Sequence, residues 1–225
     1  MIRIEPAGAE ALLLVLAEQP DPQLALRIHA LAVRLREQLG PALIDVVPAW
    51  TSLLLHYDLR RISYAQLLPK VEGILEHWLE QMLPLSLPAL HEVPIWYAGE
   101  DLQTVADACG LRCDAVVELH SAVEYRVGAI GFAPGFAYLG ELDARLALPR
   151  RRNPRIEVPA GSLAIAERQT AIYPQASPGG WHLLGLCPWR LFDWQVNPPC
   201  RMAIGDRIRF LPIEHARFLA EAGQV

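Results

Sequence analysis

The chain has 225 residues, of which 52% are hydrophobic and 20% charged, a composition that buries a core and excludes a disordered chain. Its formal net charge of −5 argues against a nucleic-acid-binding protein, which usually presents a basic face. The single lysine, Lys70, and the absence of a GxxxxGK[ST] sequence exclude a Walker-type phosphate loop and disfavour Schiff-base chemistry.

Two helices are predicted in the first part of the chain. Ile28, Leu31 and Leu35 recur at helical spacing and predict one buried stripe. A second helix is predicted after Ser63, which forms a capping box with Gln66. Both helices are amphipathic, so each is expected to pack one face on a sheet.

Short apolar runs predict the strands around these helices. They are expected at Ile2–Ile4, Leu12–Leu16, Leu43–Val47, Thr51–Tyr57 and Glu92–Tyr97. The resulting order of strand, helix, strand, strand, helix and strand favours a split βαβ, ferredoxin-like α+β domain, with both helices on one face of a four-stranded sheet. A boundary near Leu87 divides the chain into predicted domains of residues 1–87 and 88–225.

The second domain is predicted to be rich in β-structure. Two short helices come first, near Asp101–Ala108 and Asp114–Ser121. Short strands separated by Gly and Pro then favour a sandwich or barrel. These strands are expected at Tyr125–Ile130, Ile156–Val158, Ser162–Ala166, Thr170–Tyr173, His182–Leu184 and Arg207–Leu211.

The cysteine pattern indicates neither a metal site nor a disulfide framework. Cys109, Cys113, Cys187 and Cys200 form no CxxC pair, so four reduced thiols are expected. No signal peptide or run of about 20 apolar residues is visible, so we expect a cytoplasmic protein that does not span a membrane.

Glycine, proline and aromatic residues concentrate between Gly131 and Trp181. Glycine permits backbone angles that other residues resist and proline restricts its own, so the segment GFAPGFAYLG predicts a rigid loop. Its rings, Phe132, Phe136 and Tyr138, are expected either to form the apolar wall of a small-molecule site or to fill the core.

Polar residues near this segment supply candidate chemistry. Gln169 and Tyr173 are neutral hydrogen-bonding groups, and Arg155 is a cation suited to a carboxylate or phosphate. The run that contains Arg155 begins with Arg150, and a surface loop accounts for such a run more simply than a phosphate groove. His120 is the candidate general base by residue type, although a lone histidine near a helix end is more often a packing or capping residue.

Several motifs occurring in order resemble a known family, which comprises the B subunit of bacterial ATP-dependent 5-oxoprolinase, allophanate hydrolase subunit 1 and the sporulation kinase A inhibitor. The motifs are GFAPGFAYLG, LPRRRNPRIEVPAGSLAIA, RQTAIYPQASPGGWHLLG and GDRIRFLPI. The resemblance implies a cyclophilin-like β-barrel after a small α/β domain. It also implies a complex with the homologous C subunit, itself a barrel, and the large A subunit, which uses ATP as co-substrate to open 5-oxoproline to glutamate. No metal site is readable in this sequence.

The motifs also imply candidate site positions. The implied catalytic residues are His120, Arg155, Gln169 and Tyr173, and the implied substrate-binding residues are Pro134, Gly135, Phe136, Tyr138, Pro159, Ser162, Pro178 and Gly180. Ser162 lies in AGSL rather than in a GxSxG nucleophile elbow, so a structural role is its alternative.

Two positions depart from the family pattern. Glu167 stands where the family usually has glycine, and a positive φ there would strain the backbone by roughly 1 kcal/mol. Leu186 and Cys187 replace an Arg-Thr pair, so a cation that helps hold an anion is missing. Both changes bear on the substrate.

Three functions remain open at this point. The leading hypothesis is a non-autonomous 5-oxoprolinase subunit, in which Arg155 neutralises charge, Gln169 and Tyr173 orient the lactam, and His120 transfers a proton. The second is a regulator that inhibits a histidine kinase through an apolar groove. The third, a subunit of allophanate hydrolase, differs from the first only in its substrate.

Overall fold

A computed structural model describes residues 2–80 and 88–222. The chain forms two compact units, Met1–Leu87 and Pro88–Val225. The predicted boundary near Leu87 lies outside the described residues. No helix among the described residues is long and apolar enough to cross a membrane.

The first unit packs two helices with a four-stranded antiparallel sheet of order β1-β2-β4-β3. Its elements are β1 (Arg3–Pro6), β2 (Ala11–Val15), α1 (Pro22–Leu39), β3 (Leu43–Pro48), β4 (Ser52–Tyr57) and α2 (Tyr64–Glu80). Leu12 and Leu14 on β2 are buried with Leu53 and Leu55 on β4, because alternate side chains share one face of a sheet. Gln66 accepts hydrogen bonds from the backbone and side chain of Ser63, as the capping-box pattern predicts.

The split βαβ prediction for this unit is not confirmed, because it used Glu92–Tyr97 as a strand of the first sheet. The structure places β5 (Leu90–Ile95) in the second unit, parallel to a strand near the end of the chain. Val93 and Ile95 are fully buried in that unit's core. The first sheet instead obtains its fourth strand from the opening hairpin of β1 and β2.

The second unit is a nearly closed β-barrel, as predicted. Its seven-stranded sheet has the order β12-β9-β10-β7-β6-β13-β5, and a bridge between Trp96 and Leu186 connects the two edges. The remaining elements are α3 (Leu102–Cys109), α4 (Cys113–Ser121), β6 (Glu124–Ile130), β7 (Ala137–Gly140), β8 (Arg155–Val158), β9 (Ser162–Ala166), β10 (Gln169–Ile172), β11 (Ser177–Gly179), β12 (His182–Leu186), β13 (Arg207–Pro212) and α5 (His215–Ala222).

The predicted strands and short helices of this unit are present within one or two residues of their expected bounds. The sequence prediction missed β7, β11 and α5. β7 and β11 have four and three residues and contain or adjoin glycine, so neither shows a clear alternation. β11 pairs with β8 in a separate two-stranded sheet.

His120 lies in the last turn of α4 and is fully buried in the barrel core. Its ring stacks on Phe210, with 4.9 Å between ring centroids. Its Nδ1 atom is 2.8 Å from Tyr97 Oη, and its Nε2 atom is 2.9 Å from Thr170 Oγ1. The imidazole therefore links α4 to the segment after β5 and to β10.

These contacts determine which ring nitrogen of His120 carries the proton. The Thr170 hydroxyl donates its hydrogen to Ala164 O at 3.0 Å, so it accepts the N–H of His120 Nε2. Nδ1 is then the acceptor for the Tyr97 hydroxyl. Burial lowers the pKa of His120 to about 3. Because both nitrogens are occupied and solvent is excluded, these contacts favour a packing role for His120 over the predicted proton transfer.

We expect His120 to remain neutral in the folded protein well below neutral pH. Unfolding lets the ring bind a proton near its ordinary pKa of 6.5, whereas the folded ring binds one only near pH 3. Stability from this group is therefore complete above pH 6.5 and falls by up to about 1.4 kcal/mol per pH unit as the pH drops towards 3. The His120 Cε1–H NMR resonance, assigned by its loss in His120→Gln, should not titrate between pH 4 and 8. A midpoint near 6.5 would contradict the buried neutral ring.

Glu167 is predicted to be a strained position. It is the first residue of the two-residue turn between β9 and β10, and its φ of 54° lies in the left-handed region. This is the positive φ that, according to the sequence analysis, would strain the backbone at a residue other than glycine. Glu167→Gly should stabilise the protein by about 1 kcal/mol in chemical denaturation, because glycine removes the clash of the β-carbon. Arg168→Gly is the control, since Arg168 has no positive φ. That control should lower stability, and equal effects of the two variants would refute the strain.

Candidate functional site

The predicted segment between Gly131 and Trp181 assembles an aromatic cluster on one face of the barrel sheet. Phe136 precedes β7 and Tyr138 lies within it, Tyr173 follows β10, and Trp181 precedes β12. They pack together with Leu183 in a hydrophobic cluster separate from the main core. Neighbouring residues on these strands belong to the main core: Ala137, Leu139, Ile172 and Leu184. His120 packs against this core through Phe210. His120 is therefore on the opposite face of the sheet from this cluster.

Phe136 is the centre of the aromatic cluster. Its ring centroid is 4.7 Å from that of Tyr138, 5.3 Å from Tyr173 and 6.0 Å from Trp181. The last two pairs are nearly perpendicular, the edge-to-face arrangement that aromatic rings favour. Phe136, Tyr173 and Trp181 are buried, whereas Tyr138 is partly exposed. The three buried rings thus form a platform, and Tyr138 brings a hydroxyl to its surface.

A tight turn fixes the loop that leads into this cluster. Phe136 N donates to Ala133 O at 3.0 Å, and Gly135 has a φ of 81°, which with Pro134 before it describes a type II turn. A β-carbon at Gly135 would lie 2.8 Å from Phe192 Cβ, so only glycine fits. Gly135 and exposed Pro134 therefore shape the loop, as the rigid-loop prediction required.

Phe132 lies in this loop and is 64% exposed, with a φ of 72°. Its ring meets that of Phe136 edge-on, with centroids 5.3 Å apart. The sequence indicated an apolar ring at this position but carried no signal for the positive φ. The ring is therefore not buried in the core, but it is not isolated in solvent either. It extends the aromatic cluster to the surface through its contact with Phe136.

Asp101 is a buried carboxylate that holds two arginines beside the cluster. Its Oδ1 atom accepts two hydrogen bonds, from Arg151 Nη1 at 2.6 Å and from Arg155 Nη2 at 2.9 Å. The other oxygen accepts from Leu183 N at 2.8 Å. Burial alone would raise the pKa of Asp101, but the hydrogen bonds from Arg155 and Leu183 and the two guanidinium charges outweigh it and lower the pKa.

Arg155 is consequently not the free cation that the sequence suggested. Besides Asp101, it contacts Glu100 Oε2 at 3.1 Å. These two carboxylates balance the charges of Arg155 and Arg151. Asp101 was not singled out from the sequence, because it appeared only as the beginning of a short helix.

Arg150 is an exposed cation whose charge acts on two phenols of the aromatic cluster. In the part of the chain that the structure describes, it forms no ion pair. Burial raises the pKa values of Tyr138 and Tyr173, and the charge of Arg150 opposes both shifts without cancelling them. Both phenols therefore stay protonated at neutral pH. The sequence placed Arg150 only in a basic surface loop.

The other predicted site residues lie at different places relative to the aromatic cluster. The backbone of Gly179 between Pro178 and Gly180 lies directly against Tyr173 Oη, so this segment covers the phenol. Gly180 O also accepts Arg151 N at 2.8 Å. Pro159 lies in the turn before β9. Ser162 is buried in β9, and its carbonyl oxygen accepts a hydrogen bond from Tyr173 N at 2.9 Å, so it lies beside Tyr173. Gln169 begins β10, four residues before Tyr173.

The second departure from the family pattern is a buried thiol. Cys187 Sγ accepts a hydrogen bond from Trp189 N at 3.4 Å, and burial raises its pKa to about 12. It therefore carries no charge at neutral pH. Within residues 2–80 and 88–222, no group of His, Cys, Asp and Glu side chains could hold a metal ion.

Comparison with known proteins assigns the chain to a family. Residues 2–202 match the family described as carboxyltransferase domain, subdomain C and D. The chain is 35% identical over 230 residues to the 5-oxoprolinase B subunit of Bacillus subtilis (strain 168), covering 97% of this chain and 95% of the relative. It is 40% identical over 189 residues to the protein of the same name from Escherichia coli O157:H7, covering 83% and 84%.

Solved structures show the same architecture. TTHA0988 superposes with a TM-score of 0.80 at 40% identity, covering 95% of this chain but only 40% of that longer one. The Kluyveromyces lactis urea carboxylase superposes with a TM-score of 0.77 at 17% identity, covering 97% of this chain and 22% of that protein, which shows a shared fold. The match over residues 2–202 and the similarity to 5-oxoprolinase B subunits show that the chain belongs to the carboxyltransferase-domain family of subdomains C and D.

Proposed function

We propose that this chain is the B subunit of a cytoplasmic, ATP-dependent 5-oxoprolinase, which opens 5-oxo-L-proline to L-glutamate. In this proposal it acts with the homologous C subunit, itself a barrel, and with the large A subunit. The observation that carries the proposal is its 32–40% identity, over 83–97% of its length, to three proteins named as B subunits of 5-oxoprolinase. The chain spans 84–97% of those relatives, so the likeness extends over both units.

The proposed reaction needs a site that binds a small cyclic amide carrying a carboxylate. Opening this lactam is unfavourable unless it is coupled, and phosphorylation of the amide oxygen by ATP creates a better electrophile. The chain contains no Walker loop. Its contribution in our proposal is therefore to bind and orient 5-oxoproline, while the nucleotide site is shared with another subunit.

The aromatic cluster supplies groups that suit this ligand. Tyr138 stays protonated, so its hydroxyl can donate a hydrogen bond to a carbonyl or carboxylate oxygen. Arg150 is exposed and its positive charge acts on the Tyr138 phenol, which suits the substrate carboxylate. Phe136 and Trp181 hold Tyr138 in place through ring contacts, and Tyr173 packs in turn against Phe136.

The remaining expected residues take supporting roles in this proposal. Arg155 shapes the rim of the site through Asp101, and the segment around Gly179 covers Tyr173. Gln169 begins β10, which pairs with the strand that carries Tyr138, and its amide would hydrogen-bond the lactam. His120 has no role in proton transfer here, because it is buried on the opposite face of the sheet.

Omitting this chain is expected to abolish 5-oxoproline-dependent ATP hydrolysis by the complex. The test is co-expression of the A and C subunits with and without the chain, followed by measurement of phosphate and glutamate. Adding the purified chain back should restore turnover. Full turnover without it would refute the proposal, and turnover of allophanate in place of 5-oxoproline would assign the other substrate.

Arg150→Gln is expected to raise the KM for 5-oxoproline about tenfold, because an unpaired cation beside the substrate carboxylate is lost. Arg152→Gln is the matched control, since Arg152 is an exposed arginine two residues further along the same segment. Steady-state kinetics of the reconstituted complex would measure both. Equal KM values for Arg150→Gln and the control would exclude Arg150 from the site.

A further inference from the structure

Phe132 combines an exposed ring with an unfavourable backbone conformation. It is 64% exposed, and its φ of 72° lies in the left-handed region. In that region the β-carbon of an L-residue crowds the following carbonyl oxygen. Asparagine or aspartate can offset such strain with a local hydrogen bond, but phenylalanine has no polar group to make one. The conformation is therefore unfavourable for this residue type.

The surrounding loop prevents Phe132 from relaxing. Gly131 N donates to Phe136 O at 3.1 Å, and Phe136 N donates to Ala133 O at 3.0 Å. Phe132 is enclosed between these hydrogen bonds, and the turn at Gly135 packs against Phe192. The loop thus holds the ring at the surface of the aromatic cluster, where its single ring contact within the described residues is with Phe136.

Neither the strain nor the exposure is offset within the described part of this chain. An aromatic side chain gains free energy when it leaves water, and most of this ring remains in water. Strained residues that persist in rigid surroundings concentrate at ligand-binding sites. The outlier at Phe132 therefore points to an occupant that covers the ring.

The neighbouring groups indicate the chemistry of that occupant. Phe136 contacts both Phe132 and Tyr138, and the charge of Arg150 acts on the Tyr138 phenol. A ligand over this surface would meet an apolar ring, a phenolic hydroxyl and a positive charge. A small ring compound with methylene groups, an amide and a carboxylate offers matching groups to all three.

We propose that Phe132 is a substrate-binding residue whose ring covers the methylene face of 5-oxoproline. This inference rests on the proposed function and assigns a role to one residue of the same site. The loop holds the ring in its binding position before the substrate arrives, so binding does not have to order the side chain.

Two variants separate the role of the ring from that of the backbone. Phe132→Gly removes both the ring and the strain, whereas Phe132→Ala removes the ring but keeps a β-carbon. In the complete complex, both variants should raise the KM for 5-oxoproline about tenfold and leave kcat within about twofold. The melting temperature of the isolated chain should rise by about 2–4 °C for Phe132→Gly and should not rise for Phe132→Ala.

The matched control is Trp194→Ala, which removes another exposed aromatic ring. Trp194 is 75% exposed and contacts Phe192, outside the aromatic cluster. This variant should leave the KM unchanged. An unchanged KM in both Phe132 variants would overturn the inference, and weaker association with the C subunit in that case would assign the ring to an intersubunit contact.

The failure of this inference can be distinguished from that of the proposed function. If the wild-type complex does not hydrolyse ATP in response to 5-oxoproline, the proposed function fails, and the role of Phe132 fails with it. If the wild-type complex is active and the Phe132 variants bind 5-oxoproline normally in calorimetry, only the role of Phe132 fails.

Discussion

Alternation of side chains along the strands of the barrel is the constraint on which both the core and the candidate site depend. On β10, Thr170 points to the main core and hydrogen-bonds His120, whereas Ala171 packs with the aromatic cluster. On β7, Leu139 joins the core and Tyr138 the cluster. A shift of one residue in either strand would exchange these faces. One sheet therefore separates an apolar interior from a surface that presents rings and a hydroxyl.

The buried carboxylate of Asp101 determines which arginines near the aromatic cluster are paired. Asp101 is 3% exposed and accepts hydrogen bonds from two arginines and one backbone amide, so it stays ionised despite its surroundings. Removing either arginine would leave the buried Asp101 carboxylate with fewer hydrogen bonds and less opposite charge. This loss destabilises the folded protein more than the loss of an exposed ion pair does. Arg151 and Arg155 are therefore structural cations, whereas Arg150 is exposed and forms no ion pair with the residues that the structure describes.

Local patterns predicted most elements of the fold, because apolar periodicity and Gly/Pro turns act over a few residues. Strand β9 and the two short helices α3 and α4 are clear examples. Strand β5 was recognised but assigned to the wrong sheet, since its partner β13 is more than one hundred residues away. The sequence also predicted that Phe132, Phe136 and Tyr138 form an apolar wall or fill the core, whereas His120 was chosen from its residue type, which carries no information about burial.

By itself, the sequence determined the rigid glycine- and proline-rich loop, the aromatic composition of the site and the family resemblance, because these depend on residue type and short spacing. Only the tertiary structure decided that Arg155 is neutralised by Asp101 while Arg150 is exposed. It also decided that His120 is a buried neutral ring and that Phe132 is both strained and exposed. The reason is that ionisation, burial and backbone strain depend on contacts between segments far apart in the chain, which local patterns do not encode.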